Sequence, residues 1–312
     1  MFQLFKKRNF NNIFNDTFTF FRVAGKNYFS NYIKIAGGFL LVLVVLMYLG
    51  AKVFFEGLFT RFTNPQQDQL LESYFYDNTG FFIATAIFCG ILILVLSAIN
   101  YAFPVVYLRI METKPSPTTG ELVSGIKKSF GRVIIFSLLS LITFLPIAAI
   151  LGVICVLLIM ILIGIPVALF VFAFISCWVF QSFYDYLNNN NGFFTSMRNG
   201  YNNVFSNFWA HTGSTAIFII ILYVVQTITS LIPYIIGGFL TLTEIQGPED
   251  QADALSTMGV LMLVSFLISS VVGYLLTNVL LINQGMIYYS SRENIENNSL
   301  HSDIDLIGTD IE

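Results

Sequence analysis

Apolar runs long enough to cross a bilayer recur along this chain, separated by short polar or charged stretches. The longest, Val133 to Tyr184, contains no Lys, Arg, Asp, Glu or His. At about 1.5 Å of rise per residue, one helix of that length would reach more than twice across a hydrocarbon core of about 30 Å. The run is therefore expected to cross twice. Its turn falls at Leu162 to Pro166, where Gly164 permits a tight bend and Pro166 suits the first turn of the next helix. Extended to the whole chain, the pattern predicts six crossings, at 35–55, 80–110, 132–162, 166–187, 211–240 and 255–289. The expected fold is an all-α polytopic membrane bundle, preceded by a cytoplasmic or interfacial segment (1–34) and followed by a flexible cytoplasmic tail (290–312).

Between the crossings the pattern changes character. Phe14 to Ile33 mixes aromatic residues, among them Phe14, Phe18, Phe21, Tyr28 and Phe29, with Asp16, Arg22 and Lys26. That mixture fits either an amphipathic helix lying at the interface or a cytoplasmic helix packed on the bundle. Glu56 to Thr79 is expected to be a loop, with a turn signal at Asn64 to Gln67. Met111 to Thr119 is a Pro-punctuated linker, after which Thr118 or Thr119 can cap a helix. Asn188 to Asn191 should end the second arm of the central pair, and Gly192 to Phe208 reads as a short polar and aromatic helix. Thr241 to Ala254 reads as an acidic loop.

Composition agrees with a membrane solvent: 56% of residues are hydrophobic and only 11% are charged, too little polar surface for a water-soluble globule of this size. The net charge of -3 says less than its placement. With the amino terminus in the cytoplasm, thirteen of the 15 Lys and Arg residues fall on the cytoplasmic side, and only Lys52 and Arg61 fall outside. This bias supports six crossings with both termini cytoplasmic. Apolar helices rather than alternating strands place the chain in a bacterial inner membrane. Met1 to Ile35 lacks the uninterrupted apolar stretch of a secretory signal, so the first crossing is expected to remain as an anchor. Cys89, Cys155 and Cys177 lie in apolar runs and read as small buried or lipid-facing side chains.

Basic or aromatic amphipathic segments around Phe18 to Tyr28, Leu122 to Phe130 and Phe194 to Phe205 each precede two crossings, which suggests three helix-pair repeats. Phe183 to Gly213 (FYDYLNNNNGFFTSMRNGYNNVFSNFWAHTG) and Pro115 to Val133, with Asn283 to Asn294 carrying Tyr288, Tyr289 and Arg292, resemble a known family. It comprises the bacterial glycerophosphoryl diester phosphodiesterase membrane-domain-like proteins and the related YciC-type membrane proteins. The resemblance implies a six-helix integral membrane protein. With only two His and no cytoplasmic cluster of Glu, Asp and His, the metal-dependent phosphodiesterase domain carried by some relatives is not expected here.

Candidate chemistry is sparse. His211 and Ser214, three residues apart, could share a helix face as base and hydroxyl, but no carboxylate stands nearby to orient the His. Asp185 could pair with Arg198 or Arg109, or sit hydrated at the interface. Asn100, Gln226, Asn278, Asn283 and Gln284 fall within crossings, where amides join helices or line a polar path. No nucleotide, zinc-hydrolase or nucleic-acid pattern is present, and no cofactor or metal is expected. The expected partners are membrane lipids, including anionic headgroups facing the juxtamembrane Lys and Arg residues, and other membrane proteins. Two function classes follow. One is a non-enzymatic protein that organises lipids or membrane proteins. The other is a permease or lipid-handling transporter with a cavity between helix-pair repeats lined by Asn100, Tyr107, Tyr184, Asn283 and Tyr288; Asp185 and Arg198 are further candidates for cavity or interhelix polar contacts.

Overall fold

The structure, a computed structural model, describes residues 2–63, 76, 79–159, 164–242 and 248–296. Seven helices account for nearly all of them: α1 (Phe10–Thr63), α2 (Thr79–Met111), α3 (Thr119–Ile159), α4 (Gly164–Asn188), α5 (Phe193–Ser206), α6 (Phe208–Leu242) and α7 (Pro248–Glu296). No strand occurs among the described residues. All but α5 are long and apolar enough to span a bilayer, so the protein is an all-α, multi-pass membrane bundle. The most apolar windows have mean hydropathies of 2.0 to 2.8, yet only 11% to 22% of each is buried by protein. Lipid must cover the rest.

Several element boundaries differ from the sequence expectation, and for one reason. Hydropathy marks the part of a helix that meets lipid, whereas continuity of backbone hydrogen bonds sets where the helix ends. The segment expected over Phe14 to Ile33 is continuous with the first crossing in α1, which also runs through Glu56 to Thr63, where a loop was expected. Likewise, α3 joins the basic segment at Leu122 to Phe130 to the third crossing. Lys, Arg and Glu are good helix formers, so they do not stop a helix that leaves the apolar layer. The last helix begins at Pro248, within the expected acidic loop. It also continues to Glu296, seven residues into the expected flexible tail, with Ser290, Ser291 and Glu293 buried. Residues 160–163, which include the first two positions of the expected turn, and the rest of the tail, 297–312, lie outside the described residues, as do most of the loop at 64–78 and the stretch 243–247.

Other boundaries coincide. Pro166 sits in the first turn of α4, where its missing N–H leaves no helical bond unmade. That helix ends at Asn188. Asn190 then adopts φ 53, a left-handed conformation that Asn tolerates better than most residues. At the start of α3, Thr118 and Glu121 form a capping box: Thr118 N–H and Oγ1 donate to Glu121 Oε2 at 2.8 and 2.6 Å. Consecutive helices pack as pairs, consistent with helix-pair repeats. Between α3 and α4, Phe136 meets Phe183 and Phe144 meets Trp178, with ring centroids 5.1 and 5.0 Å apart. Between α4 and α5, Gly200 faces Ser182, and Trp178 Nε1 donates to the Met197 carbonyl at 2.9 Å.

The chain divides into two compact units. The first comprises Met1–Ile35, Ala98–Ile221 and Thr277–Glu312 and holds the largest fully buried side chains, among them Tyr28, Tyr32, Tyr107, Tyr184, Tyr288 and Tyr289. The second comprises Ala36–Ser97 and Leu222–Leu276 and exposes apolar side chains such as Leu41, Ile87, Leu94 and Tyr223. Within the second unit, Gln226 Nε2 donates to the Ser269 carbonyl at 3.4 Å, beside Gly273.

Candidate functional site

The polar side chains of the first unit gather in its interior. Asn27, Tyr28, Asn31 and Tyr32 occupy successive turns of α1, so that like residues recur four apart on adjoining faces. Tyr28 and Tyr32 are fully buried, and a buried hydroxyl needs a partner. Tyr28 donates to Asn278 Oδ1 on α7 at 2.7 Å, and Tyr32 donates to Asn100 Oδ1 on α2 at 2.8 Å. Asn278 Nδ2 closes the set by donating to the same Asn100 oxygen at 2.8 Å. A few turns along, Tyr107 donates to Asn27 Oδ1 at 2.9 Å. Asn31 accepts from Thr119 Oγ1 at 2.6 Å, tying the start of α3 to α1. Edge-to-face contacts of Tyr28 with Phe103 and Tyr107, both 4.9 Å between centroids, fill the space around these bonds.

A second group joins α7 to α4, α6 and α1. Asn283 Nδ2 donates to Ser214 Oγ at 3.0 Å and to Thr17 Oγ1 at 3.3 Å. Gln284 Nε2 donates to Thr215 Oγ1 at 2.8 Å, and Gln181 Nε2 donates to the Gln284 carbonyl at 3.0 Å. Tyr184 donates to the Leu281 carbonyl at 2.7 Å, and its ring stacks on Tyr288 at 5.4 Å. Close approach is possible here because Gly285 has no Cβ: one placed there would lie 2.9 Å from the Tyr184 hydroxyl. The Tyr288 hydroxyl lies buried beside the Asn188 amide, yet neither completes a well-aligned hydrogen bond.

Asp185 is buried and forms no ion pair with an arginine among the described residues. It is 4% exposed, and three amides hold it: Asn189 Nδ2 at 2.8 Å, Asn191 Nδ2 at 2.9 Å and Asn199 Nδ2 at 3.2 Å. Arg109 instead donates to the Leu187 carbonyl at 3.1 Å. Arg132 donates to the carbonyls of Tyr186 and Asn191, the latter at 2.9 Å, with its guanidinium 4.0 Å over the Tyr186 ring. Both cations thus complement the negative end of α4. Arg198 is exposed on α5, next in sequence to Asn199.

Residues 2–9 form an arm that the sequence did not single out. Phe2, Leu4 and Arg8 are buried. The Arg8 backbone N–H donates to Ser290 Oγ at 2.9 Å, and its side chain donates to Asp16 Oδ2 at 2.9 Å and to the carbonyls of Leu4 and Gln3 at 2.8 Å each. Burial lowers the Arg8 pKa, while the hydrogen bond and charge of Asp16 oppose that shift. Phe5 meets Tyr289 at 5.2 Å, and Tyr289 donates to Glu112 Oε1 at 2.6 Å, where Arg292 also arrives at 3.4 Å. Charge spacing gave no signal for this arm, because Lys6 to Arg8 looks like any juxtamembrane basic cluster.

His211 and Ser214 have different partners. His211 Nδ1 meets the Asn203 carbonyl at 2.9 Å, whereas Ser214 Oγ accepts from Asn283. No group of three His, Cys, Asp or Glu capable of holding a metal occurs among the described residues. A cleft of about 180 Å³ opens between α2, α3 and α4, lined by Tyr101, Phe136, Ser137, Ser140, Val179, Phe180 and Phe183. None of the polar candidates lines it. Compared with family models, curated proteins and solved structures, the chain matches none of them.

Proposed function

We propose that this is a non-enzymatic, membrane-organising or accessory protein of the bacterial cytoplasmic membrane. It would contact lipids or other membrane proteins, keep both termini in the cytoplasm, and be kin to the glycerophosphoryl diester phosphodiesterase membrane-domain-like proteins. One observation carries this reading: the amides and hydroxyls that a transport path would present to a solute are bonded to one another across helices, as in the set of Tyr28, Tyr32, Asn100 and Asn278. Such bonds hold a bundle together. Exposed Phe194, Tyr201, Phe205 and Trp209, around and after the cationic Arg198, supply an aromatic surface suited to headgroups or a neighbouring protein.

A transporter remains the second reading, because Asn100, Tyr107, Tyr184, Asn283 and Tyr288 are all buried inside the unit and none faces lipid. Flux separates the two. In proteoliposomes, the organising reading expects fluorescent phospholipid to cross no faster than in empty vesicles. Protein-dependent crossing that Asn100→Leu or Asn278→Leu abolishes would establish the transporter instead.

A further inference from the structure

We infer that the end of α4, with the adjoining face of α3, is a binding site for one anionic glycerophospholipid. The phosphate would rest at Lys128 and Arg132, and an acyl chain would lie in the cleft between α2, α3 and α4. Lys128, Arg132, Phe136 and Ser140 follow one another at four-residue spacing, so that each neighbours the next in one inclined row along α3. The first two are cationic, and the last two line the cleft. The sequence of contacts between them is continuous: the Arg132 guanidinium lies 4.0 Å over Tyr186, Tyr186 lies 5.3 Å from Phe136, and Phe136 lies 5.1 Å from Phe183 inside the cleft.

Among the described residues, no carboxylate forms an ion pair with the cations at this end. Arg132 directs one nitrogen to two backbone carbonyls, its Nε is buried without an acceptor, and no carboxylate pairs with it among the described residues. Lys128 is exposed and likewise forms no ion pair among the described residues. Arg109 donates to the neighbouring Leu187 carbonyl and lies 3.8 Å from a Cβ placed at Gly125 on α3, adding a third positive charge to the same region. The closest acid along α4, Asp185, is already held by three amides. A headgroup phosphate matches this excess of positive charge, and the apolar cleft one to two turns along α3 matches the chain beneath it. The cleft opens beside its exposed lining residues Tyr101 and Ser137, where acyl chains are the surrounding solvent.

The site requires only the membrane-spanning fold, so it stands or falls separately from the organising reading and from the flux result. The test uses the full-length purified protein in detergent, with bound lipid counted by native mass spectrometry and melting followed in parallel. Phosphatidylglycerol should be retained at least ten-fold better than phosphatidylcholine, at one equivalent, while glycerol phosphate without chains should neither bind nor raise the melting temperature. Lys128→Gln, an exposed position, should cut the preference several-fold. Ser140→Phe, which fills the cleft, should reduce retention of both lipids. Equal retention of the two lipids, equal protection by glycerol phosphate, or wild-type behaviour of either variant would overturn the site.

Discussion

Asn278 on α7 donates its amide to Asn100 on α2 at 2.8 Å, and each residue also receives a tyrosine hydroxyl from α1. Three helices distant in sequence thus meet at one pair of carboxamides. Replacing Asn278 by Leu leaves the buried Tyr28 hydroxyl without its acceptor and removes one of two donors to Asn100 Oδ1, a loss of about 1 to 3 kcal/mol. Thermal melting of Asn278→Leu, Asn100→Leu and the double variant should show a double loss smaller than the sum of the singles, with a coupling of about 0.6 to 1.7 kcal/mol.

Two glycines set close helix contacts. A Cβ at Gly200 would lie 2.8 Å from Ser182 Cα, and one at Gly285 would lie 2.9 Å from the Tyr184 hydroxyl, whereas one at Gly152 would meet nothing within 4 Å. Gly200→Ala and Gly285→Ala are each expected to cost about 1 to 3 kcal/mol by overpacking. Gly152→Ala should be neutral or slightly stabilising in the same melting experiment.

The amino-terminal arm should act as a structural closure. Arg8→Ala removes a buried guanidinium that bonds Asp16 and the carbonyls of Gln3, Leu4 and Lys6, leaving Asp16 with Lys6 at 3.2 Å and the carbonyls without this donor. Limited proteolysis should then cut within residues 2–9 markedly faster than in the wild type, and Ser290→Ala should reproduce a smaller part of that effect through the lost bond to the Arg8 N–H.

Ser214 should contribute structure rather than chemistry. Ser214→Ala removes the better of the two acceptors for Asn283 Nδ2, leaving Thr17 at 3.3 Å. The expected outcome is a fall in melting temperature equivalent to about 1 kcal/mol. A serine-directed fluorophosphonate probe should label the wild type and Ser214→Ala equally.

The exposed capping box gives a local control. Thr118→Ala removes the hydroxyl that donates to Glu121 at 2.6 Å and should cost about 1 kcal/mol. Because the box is exposed and away from the buried network, its effect should add to that of Asn278→Leu.

The number of crossings, the capped start of α3, the Pro166 entry to α4 and its end at Asn188 follow from residues in sequence, because each depends on local backbone chemistry or on a run of apolar side chains. A bilayer demands about twenty such residues wherever they occur. Long helices were harder to see. Asp16, Arg22 and Lys26 mark where α1 leaves the apolar layer, but they do not break its hydrogen bonds, so one helix looked like two elements. The polar candidates were visible as amides in crossings, but their partners were not. Whether Asn100 meets Asn278 or Gln284 meets Thr215 depends on the rotation and packing of helices far apart in the chain, and no periodicity encodes those angles. Sequence alone determined that this chain crosses a membrane and where its charges would resist entry. Only the tertiary structure decided which buried polar groups satisfy one another, because a hydrogen bond is settled over a few tenths of an ångström and a hydropathy pattern over whole turns.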